Sequence, residues 1–271
     1  MNKYETLPSG LTVPKIGFGA WKIGGGGSAD PSQDAWSLAA LRSALELGYT
    51  HFDTAEGYAA GHCEELIGQA VRAAGVPRKS LFITSKVSPS HLEYDAVLNA
   101  CASSLRRLGM DYLDLYLIHW PEQQMNLEET FRALNWLVAE GKVRHLGVSN
   151  FDLPLLRQSQ ALAATPLLTN QIPYSLADRS YVQNGVIDYC QANDILVTAY
   201  SPVKQGGLVI SPALQAVADA HQATPYQIAL AWLVQQPRVI TIPMSGNPKH
   251  QAENLAAGEI VLSEEELALL N

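Results

Sequence analysis

The segments YTHFDTAEGY at residues 49–58, LFITSKV at 81–87 and LDLYLIHW at 113–120 contain apolar runs that each end in polar or ionisable side chains. About 30 residues separate one run from the next, which is the length of one strand and one crossover helix. The residues between the second and third runs have a helical period that stops at Gly109, a residue type that commonly ends helices. The three runs therefore predict consecutive parallel strands joined by helices.

The same alternation extends over the chain of 271 residues. The predicted strands are 16–18, 50–53, 81–86, 113–118, 144–149, 168–172, 196–200 and 239–243, and the predicted helices include 35–47, 64–74, 94–108, 127–140, one that begins near Pro248, and 264–270. Eight strand–helix units predict an α/β protein with a parallel (β/α)8 TIM barrel, formed by residues 1–271 as a single domain. An N-terminal β-hairpin of residues 4–7 and 12–15 is expected across the barrel floor, and residues 24–27 are expected to form a flexible loop.

Composition excludes several classes of protein. With 18 Lys and Arg against 26 Asp and Glu, the formal net charge is −8, which disfavours a binder of nucleic-acid backbones. The three cysteines are widely spaced, so we expect no disulfide framework and a reducing compartment, with Cys63 as an exposed loop thiol. The sequence shows neither a secretory signal nor an apolar run long enough to span a membrane, and we expect a cytoplasmic protein.

Four ionisable residues follow consecutive predicted strands: Asp53, Tyr58, Lys86 and His119. Each has an ordinary structural alternative, namely a helix cap for Asp53, a surface aromatic for Tyr58, a solvated loop lysine for Lys86 and a core histidine for His119. In a parallel barrel the carboxyl ends of the strands meet at one face, where active sites lie. The four side chains are therefore expected to converge.

Convergence of these groups suits carbonyl reduction. A phenol is a weak acid, and a cationic Lys86 beside Tyr58 is expected to lower the pKa of the phenol. Asp53 would keep Lys86 charged and in place, and His119 would donate a hydrogen bond to a carbonyl oxygen. The pattern predicts a proton donor directed at a polarised C=O group.

The motifs GFGAW (17–21), DTAEGY (53–58), TSKV (84–87), LIHWP (117–121), GVSNF (147–151), NQIPYS (170–175) and AYSP (199–202) together resemble the aldo-keto reductases over nearly the whole chain. The resemblance implies a barrel that reduces small aldehydes and ketones with a nicotinamide cofactor, with Asp53, Tyr58, Lys86 and His119 as the catalytic residues. The implied cofactor-binding residues are Gly19, Asp53, Ser149, Asn150, Gln171, Tyr200, Ser201, Val203, Ser245, Asn247, His250, Glu253 and Asn254. The implied substrate pocket consists of Trp21, Tyr58, His119 and Trp120.

The cofactor is expected to be NADP(H), with NAD(H) also possible. The stretch IPMSGNPKHQAEN (242–254) resembles the family's adenosine-phosphate loop, but Met244 and His250 stand where the family often has lysine and arginine. No G-x-G-x-x-G fingerprint follows a strand, which disfavours a Rossmann dehydrogenase. The histidine spacing predicts no metal site. For Ser149 and Asn150 an alternative role is to cap a helix before Phe151.

Two other functions stay open at this point. One is a regulatory barrel that binds the cofactor tightly and senses redox state; the other is a lyase that forms a Schiff base through Lys86. The chain ends soon after the predicted helix 264–270, so we expect an open pocket that accepts several small carbonyl compounds. A monomer is the expected state, with no nucleic-acid or membrane partner.

Overall fold

The computed structural model describes residues 3–271. Its strands are β1 Tyr4–Thr6, β2 Thr12–Pro14, β3 Phe18–Gly19, β4 His51–Asp53, β5 Phe82–Val87, β6 Leu113–Ile118, β7 Val143–Ser149, β8 Thr169–Pro173, β9 Leu196–Tyr200 and β10 Val239–Thr241. Its α-helices are α1 Asp34–Glu46, α2 His62–Ala74, α3 Tyr94–Leu108, α4 Leu127–Ala139, α5 Leu153–Leu162, α6 Ser180–Gln183, α7 Val186–Ala192, α8 Pro212–Ala220, α9 Pro225–Gln235, α10 Pro248–Ala256 and α11 Glu264–Leu270. Most predicted bounds lie within two residues of these.

Strands β3 to β10 form a parallel sheet in chain order. The sheet closes on itself because Ile16 forms a parallel bridge with Thr241. Two hydrogen bonds hold this seam: the amide of Gly17 donates to the carbonyl of Thr241 at 2.8 Å, and the amide of Thr241 donates to the carbonyl of Lys15 at 2.8 Å. The predicted (β/α)8 barrel is confirmed.

The predicted N-terminal hairpin is also confirmed. Strands β1 and β2 pair antiparallel, with Glu5 opposite Val13, and the connecting turn passes through Gly10 at a φ of +86°, a left-handed conformation that favours glycine. Leu7 and Val13 of the hairpin pack against Phe82, Leu115 and other apolar residues of the barrel strands. The hairpin therefore covers the barrel floor, opposite to the end where the strands finish.

A buried ion pair ties two of the outer helices to the sheet near the site. Glu64 of α2 is fully buried, and its carboxylate accepts hydrogen bonds from the Ser85 hydroxyl at 2.6 Å and from the Arg107 guanidinium at 2.7 Å. Ser85 precedes Lys86 on β5, and Arg107 lies on α3. The pair thus fixes α2 and α3 against the strand that carries Lys86.

One local expectation is wrong. Cys63 is not an exposed loop thiol: it lies in the first turn of α2, fully buried, where its thiol donates to the Ala20 carbonyl at 3.3 Å. Residues 24–27 form a loop, as expected, in which Gly24 donates to the Ser37 hydroxyl at 2.9 Å and Gly26 accepts from the Ala59 amide at 2.8 Å. The turn after Tyr58 thus packs against the loop after β3, and this packing buries Cys63.

None of the helices between residues 3 and 271 combines the length and the apolar character needed to cross a bilayer.

Candidate active site

Lys86 and Asp53 form a buried ion pair at the carboxyl ends of β5 and β4. The Lys86 ammonium donates to Asp53 Oδ1 at 2.5 Å, to the Thr54 carbonyl at 2.9 Å and to the Tyr58 hydroxyl oxygen at 3.2 Å. These contacts use all three ammonium protons. The strand register explains this contact. Strands β4 and β5 pair with Asp53 opposite Thr84, and Lys86, two residues after Thr84, lies on the same face of the sheet.

Tyr58 lies between three side chains at the top of the barrel. Its ring packs edge-to-face against Trp21, with the centroids 5.0 Å apart, and against His119 at 5.5 Å. The Lys86 ammonium lies 4.9 Å from the centroid of the phenol ring. The structure thus brings the four predicted residues together. Their ordinary structural roles do not apply: Asp53 is not a helix cap, Lys86 is fully buried and not solvated, and Tyr58 and His119 line a cavity.

The charges of the site set the protonation states. Burial raises the pKa of Tyr58 above its usual value, and the nearby Lys86 only partly offsets this effect. The expected net lowering of the Tyr58 pKa is therefore wrong for this structure. Burial alone would lower the pKa of Lys86, but Asp53 and Tyr58 outweigh it, so the ammonium stays charged. Burial together with Lys86 lowers the pKa of His119 to about 3, so its imidazole is neutral.

A row of amide and hydroxyl groups continues from Asp53 along the barrel rim. The Gln171 amide donates to Asp53 Oδ2 at 2.8 Å, and the Ser149 hydroxyl donates to the Gln171 carbonyl at 2.9 Å. The Asn150 amide donates to the Ser149 hydroxyl at 2.9 Å, and the Tyr200 hydroxyl donates to Asn150 Oδ1 at 2.8 Å. Asn150 has a φ of +64°, which asparagine tolerates better than most residues. Hydrogen bonds thus join the Tyr200 ring to the Lys86–Tyr58 pair.

Ser149 and Asn150 do not cap the next helix. Helix α5 begins at Leu153, and its cap is Asp152, whose carboxylate accepts from the Leu155 amide at 3.0 Å. Both side chains instead belong to the hydrogen-bonded row along the barrel rim.

These groups open into a cavity of about 650 Å³. Of the residues expected to bind cofactor or substrate, those that line it are Gly19, Trp21, Asp53, Tyr58, His119, Trp120, Ser149, Asn150, Gln171, Tyr200, Ser201 and Val203. Trp21 and Trp120 are 43% and 47% exposed, so they form the rim of the cavity and are not core residues. Sequence reasoning missed other lining residues, among them Lys22, Pro202, Gln205, Gly206, Ile242 and Pro243, which follow the first and the last two barrel strands.

The second group of expected cofactor residues lies outside this cavity. Ser245, Asn247, His250, Glu253 and Asn254 belong to the loop after β10 and to α10, which adjoin the cavity through Met244. Helix α10 begins at Pro248, as predicted, and Asn247 caps it by accepting from the Lys249 amide at 2.9 Å. The structure therefore places the expected cofactor residues in two adjoining regions.

The turn that carries Tyr58 has an unusual backbone and a histidine clamp. Ala59, Ala60 and Gly61 all have left-handed φ values, of 49°, 53° and 93°. The imidazole of the next residue, His62, lies with Nε2 2.8 Å from Asp34 of α1 and Nδ1 2.8 Å from Glu65 of α2. Both ring nitrogens face carboxylates, an arrangement that favours the imidazolium form.

This clamp makes stability depend on pH. The Glu65 hydrogen bond, opposed by partial burial and supported by Asp34, raises the pKa of His62. A raised pKa in the folded state stabilises the protein at acidic pH, and the stabilisation is lost as the pH rises through that pKa. Between pH 6 and pH 9 we expect the Tm of the native chain to fall by about 1–2 °C relative to that of His62→Gln, measured by calorimetry in the same buffers. Parallel Tm curves for the two proteins would contradict this.

Comparison with known proteins agrees with this geometry. The family model described as "Aldo/keto reductase family" matches residues 15–271. A methylglyoxal reductase of Escherichia coli is 38% identical over 96% of this chain and 91% of its own length. A glyoxal reductase of Bacillus subtilis is 35% identical over 96% and 89%.

Solved structures are similar as well. A thermostable aldo-keto reductase in complex with the inhibitor epalrestat superposes with a TM-score of 0.94 at 43% identity, covering 98% of both chains. An aldo/keto reductase from Klebsiella pneumoniae, in complex with NADP and acetate, has a TM-score of 0.88 at 39% identity, covering 100% of this chain and 94% of that one. A family match over nearly the whole chain and relatives above 30% identity lead to one conclusion: the chain belongs to the aldo/keto reductase family.

Proposed function

We propose that this protein reduces small aldehydes and ketones to alcohols, with NADPH as the hydride donor and Tyr58 as the proton donor. The observation that carries the proposal is the position of the Tyr58 hydroxyl, 3.2 Å from the buried Lys86 ammonium at the base of the cavity. The phenol can give up a proton at this point because the resulting negative charge would lie beside a fixed cation.

The residues around the cavity fit a nicotinamide ring. Its carboxamide needs hydrogen-bond donors and acceptors of the kind that Ser149, Asn150 and Gln171 carry, and its ring needs a flat surface, which Tyr200 supplies. Ser149 and Asn150 would exchange some of their present hydrogen bonds with one another, Gln171 and His119 for contacts with the carboxamide. Between residues 3 and 271, Oε1 of Gln171 accepts no hydrogen bond, so an acceptor is left for a ligand. A volume of about 650 Å³ is within the range of cofactor and ligand sites.

When bound, the nicotinamide would supply a hydride to the carbonyl carbon, and the chain's own residues would hold the proton and transfer it to the carbonyl oxygen. Tyr58 donates its hydroxyl proton to the carbonyl oxygen as negative charge develops there. His119 is neutral and has one ring N–H that can donate a hydrogen bond to the same oxygen. Lys86 stabilises the phenolate that Tyr58 becomes, and Asp53 holds Lys86 in position.

The relatives indicate which cofactor and substrates to expect. Structures of related reductases contain NADP or NADPH, and two relatives are named for methylglyoxal and glyoxal. We therefore propose NADPH as the preferred cofactor and short dicarbonyl compounds among the substrates. Because Met244 and His250 stand where the family often has lysine and arginine, discrimination against NADH should be incomplete, and NADH should be accepted with lower efficiency than NADPH.

A panel of carbonyl compounds tests the proposal. We expect the absorbance of NADPH to fall with methylglyoxal, glyoxal and several small aldehydes, at a kcat of roughly 1–100 s⁻¹. With NADH the kcat/KM should be lower by about tenfold, which one lost charged contact would explain. A kcat/KM that is higher with NADH would overturn the cofactor choice, and no turnover of any carbonyl compound would overturn the proposed function.

A further inference from the structure

The indole of Trp36, in the first turn of α1, fills the space that a side chain at position 246 would need. A Cβ placed on Gly246 would fall 2.1 Å from Cζ2 and 2.6 Å from Cε2 of the indole. Gly246 does not have a left-handed φ, so the packed indole, and not the backbone conformation, leaves no room for a side chain here while Trp36 keeps this position. Trp36 therefore contacts the middle of the segment 245–247, which adjoins the cavity.

A second contact fixes the same segment to the same helix. The side chain of Gln251, fully buried, donates through Nε2 to the Ser245 carbonyl at 2.8 Å and to the Ala40 carbonyl at 3.0 Å. Ala40 lies four residues after Trp36, on the same face of α1. The segment is thus held against α1 through both Ser245 and Gly246.

Lys249 is the one lysine or arginine among residues 244–250. Met244 is apolar, His250 is exposed, and the Lys249 ammonium, on a side chain that is 80% exposed, lies 3.7 Å from the Glu253 carboxylate. An exposed cation already paired with a carboxylate attracts an anion only weakly. Affinity for a phosphate beside residues 245–247 must therefore come mainly from preorganisation, that is, from a segment that already has its ligand-bound conformation in the free protein.

We infer that Trp36 is a positioning residue for the 2′-phosphate end of the cofactor: by packing on Gly246 it keeps residues 245–247 in the shape that accepts the phosphate. The inference rests on the proposed cofactor site and deepens it. Preorganisation of residues 245–247 by Trp36 of α1 would then account for the preference for NADPH.

Binding measurements with four probes test this inference on the whole protein. NADPH and 2′,5′-ADP carry the 2′-phosphate, whereas NADH and 5′-AMP lack it. For Trp36→Ala we expect the Kd of the first two to rise about tenfold and the Kd of the other two to change by less than about twofold, measured by calorimetry. Trp136→Ala is the matched control, because Trp136 on α4 is 43% exposed and Trp36 is 44% exposed.

A double-mutant cycle separates positioning from a general effect on folding. Gly246→Ala should displace the indole and raise the Kd for 2′,5′-ADP in the native background, but should add little in the Trp36→Ala background. Equal losses for all four probes, or additive effects in the cycle, would overturn the inference. If Trp36→Ala does not fold, Gly246→Ala and Trp36→Phe test the inference instead: the Kd of NADPH and 2′,5′-ADP should rise relative to the Kd of NADH and 5′-AMP. If the native chain binds none of the four probes, the proposed function fails instead.

Discussion

Tyr58→Phe is expected to lower kcat for carbonyl reduction by about 10²–10⁴-fold, because it removes the proton donor and leaves the ring. The Kd for NADPH should change by less than about twofold, since the residues proposed to hold the nicotinamide lie along the neighbouring rim of the cavity. The ring contacts with Trp21 and His119 are kept. Steady-state kinetics with methylglyoxal and calorimetric titration of NADPH provide the two measurements.

Tyr116→Phe is the matched control for this change. The Tyr116 side chain is buried on β6, and among residues 3–271 its hydroxyl has no hydrogen-bond partner. Removal of that hydroxyl should leave kcat unchanged, because it lies outside the cavity lining. If Tyr58→Phe kept more than about a tenth of the native kcat, another group would be the proton donor and the proposed mechanism would be wrong.

The barrel could be predicted from sequence because each unit repeats the same signals. Apolar runs of strand length, helical segments that stop at glycines such as Gly109, and the Pro248 start all act locally, and the structure places these elements within about two residues. The convergence of Asp53, Lys86 and His119 followed from the barrel alone. Parallel strands in register must bring their carboxyl ends together.

Features that depend on contacts between distant segments could not be read from sequence. Cys63 looked like a loop residue because nothing nearby shows that the turn at 59–61 would adopt left-handed conformations and start α2 early. The pKa of Tyr58 depends on a balance between burial and a charge 3.2 Å away, and sequence gives neither quantity. The contact of Trp36 with Gly246 joins residues 210 positions apart, and only the closed barrel brings them together.

The second large effect is expected from Lys86→Met, which removes the cation and leaves its partner buried. Asp53 is 1% exposed, so its carboxylate would lose the one ammonium partner it has among residues 3–271 while it stays away from water. We expect the free energy of unfolding to fall by about 3–5 kcal/mol, because an unpaired buried charge is strongly destabilising. We also expect kcat to fall by about 10²–10³-fold, because nothing would stabilise the Tyr58 phenolate.

The double variant Asp53→Asn/Lys86→Met separates these two losses. With the carboxylate neutralised, stability should recover by at least about half, since replacement of a whole buried pair is often tolerated. Activity should not recover, because the cation beside Tyr58 is still missing. Arg107→Met is the matched control at the buried pair with Glu64: it should lower stability and leave kcat unchanged. Denaturant unfolding and initial rates of the three variants measure both quantities. If the double variant regained kcat together with stability, Lys86 would have a structural role alone, and the proposal that its charge stabilises the Tyr58 phenolate would have to be abandoned.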